Sequence, residues 1–216
     1  GTNGTGGSPG NYYTGDISEV RVYNYALSAS EVTDLYSSYE PEGGITMGSL
    51  EKDLSGYWSM DKKDLKSGTT TLADLTPNGF DATLTSFSVS DAHENDRFEQ
   101  IDQAINFDGV DDYILLPDSN TIITGTEATI SAWVKSEASY NASARIFTIH
   151  KGSSPGSGLN IVINVDKWAS YASGGVSAGY LSSNVTVDTN WHHIATTNDG
   201  TTHKIYIDGV EKNSGS

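Results

Sequence analysis

The chain has 216 residues, a formal net charge of −16 and no cysteine. This length suits one domain of ordinary size. Strong acidity repels nucleic acid and anionic membrane surfaces, which excludes both as partners by charge. Without cysteine there is neither a disulfide framework nor thiol chemistry, and that absence is compatible with an extracellular module. A hydrophobic fraction of 36% with 23 glycines fits short strands and tight turns, not a helical bundle. No apolar run is long enough to span a bilayer and no signal peptide is seen. The chain begins and ends abruptly, and it is expected to be a piece of a longer protein.

In chain order, Gly1–Gly10 is rich in Gly, Ser, Thr and Asn and reads as a loop. Ile17–Asn24 alternates β-branched and polar residues, the pattern of a half-buried strand. Ser28 and Glu31 make a capping box, predicting one short helix over about residues 28–38. Residues 40–53 read as a linker. Strands are then predicted at Tyr57–Met60, Ala82–Phe87, Ala104–Asp108, Tyr113–Leu116, Ala128–Lys135, Arg145–Lys151, Leu159–Val165, Trp168–Tyr171, Ser177–Leu181, His192–Thr197 and Lys204–Asp208. The charged stretch Ser88–Gln103 reads as a loop. Turn residues at hairpin-like spacing give an all-β, antiparallel sandwich.

Four stretches carry a family likeness. They are Gly15-Asp16-Ile17-Ser18-Glu19-Val20-Arg21-Val22-Tyr23-Asn24 followed by Ala26-Leu27-Ser28-Ala29-Ser30-Glu31-Val32, Ala104-Ile105-Asn106-Phe107-Asp108-Gly109-Val110-Asp111-Asp112-Tyr113-Ile114, Thr129-Ile130-Ser131-Ala132-Trp133-Val134, and Trp191-His192-His193-Ile194-Ala195 with Asp199-Gly200-Thr201 and Lys204-Ile205-Tyr206-Ile207-Asp208-Gly209. Together they resemble a laminin-G-like domain of the concanavalin-A-like lectin/glucanase superfamily. The resemblance implies a single jelly-roll sandwich over 1–216: a strand and helix in 1–39 that complete it, the linker 40–53, and a main body 54–216. The order departs from the family pattern, in which the Gly-Asp-Ile-Ser-Glu-Val strand comes last.

Leaving that strand undocked would be costly. Two or three inward side chains of Ile17–Asn24 are worth about 1.5–3 kcal/mol each, against the roughly 5–15 kcal/mol that holds a domain together. The strand is therefore expected to fill its place either in its own sheet, a circular permutation, or in a neighbouring copy, as in domain swapping. The linker of about fifteen residues could span about 50 Å and allows both. Self-docking is the simpler expectation, because termini of such folds usually lie close together.

Three constellations bear on chemistry. Glu94, Asp96 and Glu99 match the E-x-D-x-x-E spacing of jelly-roll glucanases, but Asn95, Arg97 and Phe98 between them do not alternate as a strand would, so a solvated loop is the expected reading and no enzyme is expected. His192 and His193 fall on opposite faces of a strand and cannot share a metal. His93, His150 and His203 have no nucleophile partner apparent in the sequence.

The acidic turns are the better lead. Asp74 and Asp81 bracket Asn78-Gly79, while Asp108, Asp111 and Asp112 share one turn. Oxygen ligands on loops suit a structural calcium, and the resemblance implies calcium at sandwich rims. The competing reading is that Asp and Asn simply form turns. For sugar stacking, the candidates are Trp168, Tyr171 and Tyr180 in the small-residue stretch 167–181, with Tyr140 and Asn141 in another loop. Trp168 and Tyr171 are three apart and face opposite ways, so at least one belongs to the core. The sequence thus points to a non-catalytic extracellular or cell-surface module that binds a glycan or another protein. A structural repeat joined to neighbouring copies is the alternative, and a glycoside hydrolase is disfavoured.

Overall fold

The computed structural model describes residues 11–37, 48–88, 92–117, 119–138, 140, 142–150, 158–173 and 179–216. The loop expected at 1–10, the linker before Gly48, Asn141 and the start of the strand expected at Ser177 lie outside the described residues.

The described strands are β1 (Thr14–Tyr23), β2 (Leu54–Trp58), β3 (Thr71–Leu72), β4 (Ala82–Thr85), β5 (His93–Glu94), β6 (Ala104–Asp108), β7 (Tyr113–Leu115) and β8 (Ala128–Ser136). They continue with β9 (Arg145–His150), β10 (Gly158–Asn164), β11 (Lys167–Ser173), β12 (Gly179–Thr186), β13 (Trp191–Asn198), β14 (His203–Ile207) and β15 (Val210–Gly215). Helix α1 covers Ala29–Ser37, and a single helical turn, α2, covers Ser119–Ile122. The α1 start is the expected capping box: the Glu31 carboxylate accepts from Ser28 N at 2.8 Å, and Ser28 Oγ accepts from Glu31 N at 3.3 Å.

All strand pairings are antiparallel, and β1 is central to the large sheet. That sheet runs β15-β14-β13-β8-β1-β6-β5. Along one edge β1 pairs with β8; along the other, β6 takes Thr14–Ile17 and β2 takes Val20–Tyr23. Two strands thus share one edge of β1, end to end. The change of partner coincides with Glu19, whose φ of 57° places it in the left-handed region, and with a register shift against β8 between Ser18 and Arg21. This is a bulge, which bends the strand and lets consecutive residues re-aim.

A four-stranded sheet, β12-β11-β10-β9, and a three-stranded one, β3-β4-β7, form the facing layer. Between the layers lie Ile17, Val20, Val22, Trp58, Ile105, Ile130, Val134, Ile194 and Ile205 from one side, and Leu72, Leu84, Ile149, Leu159, Ile161, Ile163 and Trp168 from the other. Burying each such side chain stabilises by about 1.5–3 kcal/mol. This is a β-sandwich, as the alternating pattern requires.

The opposite face of the large sheet is covered too. Val32 and Leu35 of α1 join Tyr23, Leu27, Leu50, Ala195 and Tyr206 in a second, smaller apolar cluster. Leu50 brings the far end of the expected linker into this cluster, and Asn24 N donates to Asp53 O at 2.9 Å. That end of the linker is therefore structured. Strand β15, absent from the sequence reading, is a polar edge strand whose Val210, Glu211 and Lys212 are exposed.

Candidate functional site

In the four-stranded sheet, alternation sends Leu159, Ile161, Trp168, Ser170 and Ala172 toward the core and their neighbours outward. One outward rung crosses all four strands: Thr148 pairs with Asn160, Asn160 with Tyr171, and Tyr171 with Tyr180. The two tyrosine rings lie 5.0 Å apart at 52°. Tyr180 is 60% exposed, while Tyr171 is half-buried. Asn160 is buried, and its Nδ2 donates to Tyr171 O at 3.1 Å, tying β10 to the strand that carries the pair. Sequence reasoning missed Thr148 and Asn160. Their signal was cross-strand register, which no single strand contains.

Trp168 has to be withdrawn from the stacking set. It is wholly buried, packs in the main core and meets the His192 ring edge-on at 6.0 Å. Of the two residues that alternation placed on opposite faces, the core took the tryptophan, the larger apolar body. Tyr140 is half-buried and packs against the main core.

The acidic candidates separate as well. Asp74 spends both oxygens on a turn: it accepts from Tyr57 N at 3.0 Å, Thr76 N at 2.9 Å, Thr76 Oγ1 at 2.8 Å and Phe80 N at 2.9 Å. Asp81 accepts from Asp74 N at 3.2 Å and pairs with Lys66. Asp74 and Asp81 thus serve the turn, and neither belongs to the acidic cluster that the described residues assemble. Asp108, Asp111 and Asp112 remain together, with ligand atoms all within 4.8 Å of one another. Burial, followed by the charges of Asp108 and Asp111, pushes the Asp112 carboxyl above its ordinary range, while the Asp108 N–H opposes that rise. Asp108 Oδ1 also accepts from Val110 N at 2.7 Å.

The glucanase-like spacing is not assembled into a site. Asp96 is buried and caps its own loop, accepting from Phe98 N at 2.8 Å and Gln100 N at 2.9 Å. Glu94 sits on β5, and Glu99 occupies a turn position with φ of 59°. A serine–histidine contact does occur where the sequence suggested none: Ser170 Oγ lies 2.6 Å from His203 Nε2. Both residues are buried between the sheets, so no substrate reaches the hydroxyl. His192 and His193 do face opposite ways, His192 toward Trp168 and His193 toward Trp133. Among the described residues, no helix is long and apolar enough to cross a membrane.

A laminin-G-type family model, described as the concanavalin A-like lectin/glucanases superfamily, matches residues 108–216, just over half of the chain. No curated protein and no solved structure matches. Domains of this kind generally bind carbohydrates or proteins. With the antiparallel sandwich and the match in agreement, the chain belongs to the concanavalin A-like lectin/glucanases superfamily.

Proposed function

We propose that this chain is a non-catalytic glycan-binding module of a secreted or surface protein, and that its contact surface is the outward face of the four-stranded sheet around Tyr171 and Tyr180. The observation that carries this reading is the tilted cross-strand tyrosine pair, with Tyr180 60% exposed. Exposed aromatic rings offer apolar faces to the C–H side of a pyranose, and their hydroxyls serve the sugar's polar rim. The opposite side of the same sheet is core, so the pair stands on a rigid support.

A cation at the Asp108–Asp111–Asp112 turn belongs to the same reading, in a structural role. These three residues would hold a calcium ion, which takes six to eight oxygens, and water would complete the shell of so exposed a cluster. The early position of β1 reads as the family's closing strand placed first, in support of which β1 pairs with both β6 and β8.

Isothermal titration against a panel of soluble neutral polysaccharides tests the glycan reading. At least one ligand is expected to bind, and Tyr180→Ala and Tyr171→Ala should each weaken it about tenfold, equal to about 1.4 kcal/mol, with unchanged circular dichroism. Silence across the panel, or full affinity in both variants, would overturn it. For the turn, a calcium-dependent rise in melting temperature that Asp111→Asn abolishes is the expected result.

A further inference from the structure

His193 stands on the outer face of the large sheet and is 1% exposed, and neither ring nitrogen has a hydrogen-bond partner among the described residues. The imidazole lies between two aromatic rings: Trp133 of β8 at 5.4 Å and Tyr36 of α1 at 6.1 Å. Tyr36 itself stacks on Trp133 at 5.5 Å and 26°. The last turn of α1 therefore closes directly over the histidine. We propose that His193 is an acid trigger for undocking helix α1 from the large sheet.

Among the described residues, the charges around the ring leave no uncommitted counter-ion for an imidazolium. From β1 comes Arg21, whose guanidinium is already paired with Glu19 at 2.5 Å. From the loop between β5 and β6 comes Arg97, which lies 3.8 Å over the Trp133 ring. One aromatic surface that could have stabilised a protonated histidine thus already faces a cation. From the turn after β14 comes Asp208, but Oδ1 accepts the His193 main-chain N–H at 3.0 Å and Oδ2 meets His192 Nδ1 at 2.8 Å. Helix α1 contributes Tyr36 to this contact, and the charges acting on the ring are those of Arg21, Arg97 and Asp208. Burial, then Arg21 and Arg97, hold the folded ring well below its ordinary value of 6.5, to about 3.

Linkage then sets the size of the effect. Opening α1 lets the ring reach water and titrate normally, so every proton taken up favours the open form. Below pH 6.5 the opening equilibrium should rise about tenfold per pH unit, levelling off only near pH 3. Carboxylates with ordinary values near 4 do not titrate in the upper part of this window. His192, raised above 6.5 by its hydrogen bond to Asp208, and His203, lowered to about 4 by burial, do not lie against α1: His192 meets Trp168, and His203 meets Ser170 between the sheets.

Hydrogen exchange followed by mass spectrometry on the intact chain from pH 6.5 to pH 5 tests this. With intrinsic rates removed, protection of α1 should fall about fifteenfold across this range, while β8 amides hold theirs. His193→Phe and His193→Gln should each flatten the α1 slope. An α1 slope that persists in both variants, or equal loss in α1 and β8, would overturn the proposal. A titration of the wild-type His193 ring by NMR needs no variant: a midpoint well below 6.5 supports the trigger, and one near 6.5 refutes it.

Discussion

Ser170 of β11 and His203 of β14 meet at 2.6 Å across the interface between the two sheets, and Thr196 of β13 completes the group, 2.7 Å from the serine and 2.9 Å from the imidazole. This polar knot sits in an apolar core and fixes how the sheets lie over one another. Burial lowers the His203 ring from 6.5 to about 4. A depressed folded value means that the neutral form is the one the fold accommodates. The contribution is fully present above pH 6.5 and is lost as pH falls through about 4, on the order of 3 kcal/mol over the window. Urea unfolding at pH 7 and pH 4 should show this loss, and His203→Leu should reduce it.

His192 responds in the opposite sense. A hydrogen bond to Asp208 at 2.8 Å, aided by Asp188 at 3.2 Å, raises its value above 6.5 against the effect of burial. A raised folded value gives stability that is full below the unfolded value and is lost as pH rises through the folded one. Asp188 is 48% exposed at its side chain, so solvent screens it strongly. Asp188→Asn is expected to cost no more than about 1 kcal/mol at pH 5.5 and nothing measurable at pH 9, by paired denaturant curves.

The Glu19–Arg21 pair is almost fully buried, with Tyr57 Oη donating to Glu19 at 2.8 Å and the Arg21 guanidinium 4.2 Å over the Tyr57 ring. Removing one partner strands the other charge. Glu19→Gln is expected to cost about 3–5 kcal/mol, and the double change to Glu19→Leu with Arg21→Met distinctly less. A loss in the double variant equal to the sum of the Glu19→Leu and Arg21→Met losses would show that the pair is not coupled.

Val20 is 3% exposed and lies in the main core on β1. Val20→Asp places an unpaired charge there, a change comparable to the whole stability of a domain. Circular dichroism should show no cooperative melt near room temperature.

Gly209 has φ of 75°, and a Cβ built on it would stand 3.1 Å from the Tyr36 ring. Thr33 Oγ1 also donates to Gly209 O at 2.9 Å, so this turn seats α1. Gly209→Ala should cost about 1–2 kcal/mol through backbone strain and a lifted ring. The loss should appear first as faster exchange in α1.

Local pattern carried most of the fold. The strand over Ala104–Asp108, the capping box at Ser28 and the opposed faces of His192 and His193 depend on spacing within a few residues, and spacing is visible in one dimension. Polar β15 was not legible, because an edge strand needs no apolar alternation. Alternation also separated Trp168 from Tyr171 without saying which was core, and only the facing sheet settled that. The same limit applies to Asp74 and Asp81, whose oxygens were claimed by backbone donors that the sequence does not locate. The Tyr171–Tyr180 pair, the rung it shares with Asn160 and Thr148, and the closure of α1 over His193 were decided by tertiary structure alone. The physical reason is that register between strands is set by burial summed over the whole core, whereas the sequence displays only each strand's own period.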